Sequence, residues 1–221
     1  MNRPSPAVQD YLKAIYRLDE SAEAPGPVTT TQVAEALGVT TASASNMLKK
    51  LDSMGYVVHV KRQGVELTST GRQAALEVIR HHRLLETFLA TRLGMPWDEV
   101  HREAEVLEHH VSGALADRIA EALGHPDRDP HGHPIPTSAG QMVNSPARRL
   151  TELGEGSSAT VARVDDHDDA LLRFLAERGL VPDARIEVIA HAPFGGPIAV
   201  RVGDDRLVDV PPAAASAVHV E

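Results

Sequence analysis

The chain has 221 residues, 42% of them hydrophobic, enough for one large or two to three small domains, and no apolar run approaches the length of a membrane span. It has no cysteine, which excludes disulfides and thiolate ligands and leaves oxygen and nitrogen to hold any metal. The net charge of −9 counts against a nucleic-acid binder, but residues 1–75 hold 8 Lys/Arg against 7 Asp/Glu, so the acidity lies in the remainder, with 14 against 24.

Ser5-Pro6 starts a helix, with Pro at its first position, and Tyr11, Leu12, Ile15 and Leu18 form its apolar stripe. Pro25-Gly26-Pro27 breaks it. Thr29 opens a second helix with Gln32 in capping-box spacing, and Val33, Ala34 and Leu37 face inward. Gly38 makes a tight turn, and Thr40 or Thr41 opens a third helix. Its apolar residues are Ala44, Met47, Leu48 and Leu51, which leaves Ser43, Ser45, Asn46, Lys49 and Lys50 for another face. Gly55 ends it. Tyr56 to Val60 and Val65 to Thr68 are strand-like, joined by the basic turn Lys61-Arg62-Gln63-Gly64. The order predicts a winged helix-turn-helix: small and amide side chains suited to base edges, and wing-tip charges suited to phosphates. The alternative is a charged, solvated surface.

A long helix is expected from Thr70-Gly71 through Leu89, with Gly94-Met95-Pro96 stopping it. Trp97 to His110 is expected as the next helix and Ser112 to Leu123 as another. At about 100° per residue, His101, Glu105, Glu108 and His109 fall within about 100° of one another, and His110 points the opposite way. Carboxylate and imidazole on one face suit a divalent first-row metal. With a rise of about 1.5 Å per residue, His101 and His109 lie about 12 Å apart along the axis, so this face suits two neighbouring sites. His82 and Glu86, four apart upstream, could complete one of them. The alternative is a solvated stripe. There is no His-Glu-x-x-His run, so the zincin signature is missing. The apolar stripes exceed what one short helix buries, which suggests a helical dimer interface; the alternative is packing against the winged domain.

Pro126, Pro130, Pro134 and Pro136 make residues 125–140 a loop, with His131 and His133 expected as loop residues rather than ligands. Residues 141–150 read as linker. Strands are expected at Ala159 to Val164, Arg185 to Ala190, Ile198 to Val202 and Leu207 to Val210, with a short helix from Asp168 to Glu177. This predicts a small β-barrel without a catalytic signature.

Together these residues resemble the diphtheria toxin repressor family of metal-dependent transcriptional repressors. The resemblance covers nearly the whole chain and rests on Asp10-Tyr11-Leu12-Lys13-Ala14-Ile15-Tyr16, the winged helix, His82-Arg83-Leu84-Leu85-Glu86, His101 to His109, Pro134-Ile135-Pro136 and the terminal strands. It implies an α+β protein. Residues 1–73 would be a winged helix-turn-helix and 74–140 a helical dimerisation and metal-binding domain. A linker at 141–152 and an SH3-like (FeoA-like) small barrel at 153–221 would follow. It implies a primary metal site of Asp10, Glu105, Glu108 and His109. The ancillary site would use His82, Glu86 and His101, completed from the acidic run by His167 first and Asp168 second; a solvated acidic turn is the alternative for that run. Thr40, Ala42 and Asn46 match the family's base-reading positions, with Ser43 beside them, and Lys49, Lys61 and Arg62 would anchor the backbone.

Iron-responsive members carry Met and Cys where this chain has Asp10 and Glu105, so the resemblance points to the manganese-responsive branch. Short manganese regulators carry Glu where this chain has Lys13, which favours separate primary and ancillary sites over a tightly coupled binuclear one. The expectation is a manganese-activated, homodimeric, cytoplasmic repressor of metal-uptake genes on a palindromic double-stranded operator, without membrane association and not an enzyme. Iron(II) or cobalt(II) could also activate it in vitro. The alternatives are an iron-responsive member of the same family, a metal-dependent hydrolase using the same side chains, and a helix-turn-helix regulator sensing an organic ligand. The lack of a basic-then-apolar N-terminal pattern supports the cytoplasmic expectation.

Overall fold

The computed structural model describes residues 4–21, 26–142 and 147–221. Pro25, expected to break the first helix, and residues 143–146 of the expected linker lie outside them. The chain divides into two compact units. The first comprises Met1–His81, Glu108–Val111 and Pro136–Gln141; the second comprises His82–Leu107, Ser112–Ile135 and Met142–Glu221.

The first unit begins with α1 (Pro6–Ser21), whose buried Val8, Leu12 and Ile15 recur at helical spacing. α2 (Thr30–Ala36) starts at Thr29 with both hydrogen bonds of a capping box to Gln32. α3 (Thr41–Ser53) is N-capped by Thr40, whose side chain accepts from the Ser43 amide, and it buries Ala44, Leu48 and Leu51. β1 (Val57–Val60) and β2 (Gly64–Leu67) pair antiparallel as the wing, with Val60 opposite Gly64. Gly64 has φ +138, and a Cβ there would lie 2.2 Å from the Val28 carbonyl oxygen, so only glycine lets the wing close against residue 28. α4 (Ser69–Leu93) follows, and its N-terminal half buries Ala75, Val78 and Ile79 in this unit.

The second unit takes the rest of α4, then α5 (Val100–Leu107) and α6 (Gly113–Ala122). α5 is shorter than the helix expected over residues 97–110. Ser112 caps α6 by accepting from the Leu115 amide, and the chain turns through residues 108–110 before it. Glu108 and His109 therefore lie past the helix end.

Strands β3 (Arg148–Arg149), β4 (Ser158–Val164), β5 (Arg185–His191), β6 (Ile198–Val202), β7 (Arg206–Val210) and β8 (Val218–Val220) form one antiparallel sheet in the order β3-β8-β4-β5-β6-β7. Register shifts at Val161/Arg163 and Val188/Ala190 mark irregularities of the kind that bend a sheet. This is an SH3-like domain on an α+β chain. α7 (Asp169–Arg178) links β4 to β5, and α8 (Pro212–Ser216) precedes β8. Leu172 and Leu175 of α7 enter a core with Val161, Val188, Val200 and Val210. Arg148–Arg149 fall within the expected linker, and β8 and α8 were not anticipated. Among the described residues no helix is long and apolar enough to cross a membrane.

Candidate metal centres and DNA-binding surface

One cluster lies wholly in the first unit. α1 carries Gln9, Asp10 and Lys13 within one turn, beside Glu108 and His109. His109 Nε2 is 2.9 Å from Asp10 Oδ1 and 3.7 Å from Glu108 Oε1. Gln9 is buried, and its amide Nε2 donates to the Pro4 carbonyl at 3.0 Å, so its Oε1 faces His109 Nδ1 at 2.7 Å. An Nδ1–H donated to Gln9 leaves the Nε2 lone pair facing the Asp10 carboxylate. Ligand atoms of Asp10, Glu108 and His109 all lie within 4.8 Å of one another. An oxygen–oxygen–nitrogen set in that arrangement fits a divalent cation. Lys13 Nζ donates to Glu108 Oε1 at 2.6 Å, with both side chains buried.

The other cluster lies wholly in the second unit, around Glu86. This carboxylate is fully buried on α4. Its Oε1 is 2.9 Å from His82 Nε2 and 3.0 Å from His101 Nδ1. His101 Nδ1 is 3.7 Å from Asp166 Oδ2, and ligand atoms of His82, Glu86, His101 and Asp166 lie within 4.8 Å of one another. Burial by itself would raise the Glu86 pKa, but His82, His101 and His131 outweigh it and hold the carboxyl well below the usual range.

His131 is also fully buried. Its Nε2 donates to the Trp97 carbonyl at 2.8 Å, and its Nδ1 stands 3.9 Å from Glu86 Oε2, beyond hydrogen-bonding reach. Burial disfavours its charged form, but Glu86, Asp129 and Asp166 prevail and push its pKa up to about 9. The loop is anchored by Asp129 Oδ1, which accepts from the His131 and His133 amides, and by the Val164 amide, which donates to the His131 carbonyl. Gly132 has φ +89, and a Cβ there would lie 2.1 Å from the Ala162 carbonyl oxygen. Glu86 Oε2, Asp129 Oδ2, His131 Nδ1 and His133 Nδ1 are buried without a hydrogen-bond partner among the described residues. Leaving such atoms unsatisfied costs about 1–3 kcal/mol each. A cation among them would satisfy several at once, so this donor set also fits a metal.

The structure thus brings Asp10, Glu108 and His109 together, and separately His82, Glu86 and His101. Glu105 belongs to the second unit, 3.9 Å from His82 Nδ1 and 3.7 Å from His101 Nε2. His167 is exposed; its Nδ1 is 3.2 Å from Asp166, and its ring packs edge-on to His101. Asp168 caps α7, with Oδ1 accepting from the Ala170 and Leu171 amides. A helix N-terminus needs that acceptor, so Asp166 rather than Asp168 joins the cluster. The signal for Asp166 was parity: Ala162, Val164 and Asp166 continue one inward alternation from β4. His131 and His133 are loop residues, as expected, but they line the cluster. Asp129 and Gln9 were not singled out at all. Thr40 at the α3 N-cap, Ala42, Ser43, Asn46 and Lys49 on α3 and Lys61 and Arg62 at the wing tip are all exposed, and Arg62 holds the left-handed φ of +64.

A winged helix-turn-helix with an exposed polar recognition face, on a chain carrying two oxygen–nitrogen ligand clusters, defines a metal-responsive DNA-binding regulator. Residues 5–65 match the iron dependent repressor N-terminal DNA binding domain, 68–137 its metal binding and dimerisation domain, and 148–221 the FeoA domain. The chain belongs to this iron-dependent, or diphtheria toxin, repressor family and is a metal-dependent transcriptional repressor. It is 34% identical to the iron-dependent repressor IdeR of Mycobacterium leprae, over 100% of this chain and 99% of that protein. It is 36% identical over 120 residues to the HTH-type transcriptional regulator MntR of Geobacillus kaustophilus, covering 54% of this chain and 82% of that one. A solved manganese-dependent transcriptional repressor in complex with manganese matches with TM-score 0.89 and 46% identity, over 96% of this chain and 98% of that chain. The family consists of DNA-binding repressors rather than enzymes, which removes the hydrolase alternative.

Replacing Gln9 by Leu frees His109 from its orienting partner. It is expected to weaken divalent-metal binding at the first cluster about 10–100-fold, as calorimetric titration of the chelated protein would measure.

The raised pKa of His131 sets a pH dependence. Its stabilisation is fully present below its ordinary pKa of 6.5 and is lost as pH rises through about 9. The melting temperature of the metal-free protein should therefore fall across that window, and fall less in His131→Gln; parallel slopes in the two proteins would count against it.

Proposed function

We propose that the protein is a manganese-activated, homodimeric repressor of metal-uptake genes acting on a palindromic operator in the cytoplasm. The carrying observation is the donor set: both clusters offer only carboxylate oxygen and imidazole nitrogen, and the chain contains no cysteine. Hard donors suit manganese better than sulfur ligands do. The solved relative that is a manganese-dependent repressor in complex with manganese supports the same metal. Iron is the second reading, favoured by the name of the full-length M. leprae relative, and iron or cobalt is expected to activate in vitro.

The proposed primary centre uses Asp10, Glu108 and His109. The proposed ancillary centre uses His82, Glu86 and His101, with Asp166 in the role expected of Asp168 and His167 at its edge. A bound ion supplies positive charge where carboxylates converge. Asp10 lies on the first helix of the winged domain, so its tie to Glu108 and His109 restrains that helix. Differential metal affinity then shifts the population toward the DNA-competent arrangement. Exposed Leu93, Val106 and Leu115, at 61%, 65% and 49%, are apolar surface that a second copy would cover. The division at 1–73, 74–140, 141–152 and 153–221 is part of this reading.

The test is operator binding by the purified protein, chelated and then supplied with manganese, iron (anaerobically) or cobalt. Manganese is expected to restore specific binding that chelation abolishes; equal affinity of the apo and manganese forms would refute the proposal.

Asn46→Ala is expected to cost about 1–3 kcal/mol on the operator and relax its sequence preference, since an amide can pair bidentately with adenine. Lys61→Ala should weaken all sequences alike and lower the salt slope by about one unit. Footprinted single-base operator variants separate the two, and full discrimination retained by Asn46→Ala would remove α3 as the reading helix.

A further inference from the structure

We propose that Lys13 is a built-in counter-cation of the primary centre, whose ammonium holds Glu108 in the metal-free protein and sets how tightly a divalent ion is taken there. This rests on Asp10, Glu108 and His109 being the ligands. Lys13 Nζ lies 2.6 Å from Glu108 Oε1, with side-chain exposures of 6% and 0%. A carboxylate removed from water needs a compensating charge. Lys13 provides it for the same residue that offers an oxygen to the cluster. Asp10 and Lys13 are three residues apart on α1, so the anion that attracts the metal and the cation that opposes it project from one helical turn. When a divalent ion enters, the ammonium and the ion share one buried carboxylate. Two positive charges a few ångströms apart in a weakly screening site repel strongly, and that repulsion subtracts from metal affinity. The pair therefore compensates the buried Glu108 carboxylate while restraining how readily a divalent ion is taken there. Lys13 is a positioning and affinity-setting residue rather than a ligand.

The experiment uses the full chain, chelated and then titrated with Mn²⁺ by calorimetry, with Mn²⁺ electron paramagnetic resonance to count free ion and thermal melting to follow stability. The variants are Lys13→Met, which removes charge and hydrogen bond; Lys13→Gln, which keeps a donor without charge; Lys13→Arg, which keeps the charge; and His109→Ala, alone and combined with Lys13→Gln. Lys13→Met and Lys13→Gln are expected to bind Mn²⁺ at the primary centre about tenfold or more tightly than the unmodified protein. Their metal-free forms should melt lower and recover more of that loss on adding Mn²⁺. Lys13→Arg should stay close to the unmodified protein, and His109→Ala should erase the gain in the combined variant. If Lys13→Met does not fold, Lys13→Gln gives the same reading. Unchanged Mn²⁺ affinity in Lys13→Gln, with His109→Ala still abolishing the centre, overturns the role of Lys13 and leaves the ligand assignment standing. If His109→Ala leaves Mn²⁺ binding untouched, the ligand assignment fails and this proposal falls with it.

Discussion

A carboxylate sealed from water organises the second unit. Glu86 has no exposure and must be compensated, because a buried, unpaired charge costs more than a fold of this size can leave uncovered. Its partners come from separate stretches of chain: His82 one turn earlier on α4, His101 on α5 and His131 on the loop after α6. Asp166, beyond β4, faces His101 in turn. One acidic group thus gives helix, loop and sheet domain a common point of convergence. The loop reaches it only because Gly132 lets the backbone approach within contact of the Ala162 carbonyl. The unsatisfied nitrogens and oxygens there are what a site built for a cation looks like before the cation is counted.

The first unit solves the same problem with a different kind of helper. Glu108 is equally buried, but a lysine ammonium 2.6 Å away joins the His109 imidazole in compensating it. Imidazole can lose its proton and become a ligand at physiological pH, whereas an ammonium remains a competitor for the carboxylate. The two clusters therefore present different chemistry to an incoming ion: the imidazoles around Glu86 can join its coordination, whereas Lys13 beside Glu108 opposes it.

Local rules made much of the fold legible in the sequence. The Thr29–Gln32 capping box, the Thr40 cap and the basic wing turn all form where propensity and spacing place them. The strands from β4 to β7 follow their alternating apolar runs. The terminal β8 was hidden because three residues carry too little pattern, and its burial is decided by pairing with β3 and β4. The candidate sites were less legible, because they depend on tertiary closure. The helix expected over residues 97–110 ends at Leu107, so Glu108 and His109 sit in the turn before α6 and their setting depends on tertiary closure. Asp168 and Asp166 have the same chemistry, and only the helix start separates them, by recruiting the first as its cap. His131 and His133 sit among prolines and looked like ordinary loop residues; only the fold shows that their loop is buried.

The wing tip carries one further consequence. Arg62 adopts a left-handed backbone conformation that a residue with a Cβ enters at a cost of roughly 1 kcal/mol and that glycine enters freely. On the proposed reading, the same side chain supplies charge to a phosphate. Backbone comfort and charge therefore ask for different residues at this position. If Arg62 grips a phosphate as proposed, a glycine there would relax the turn and surrender that charge.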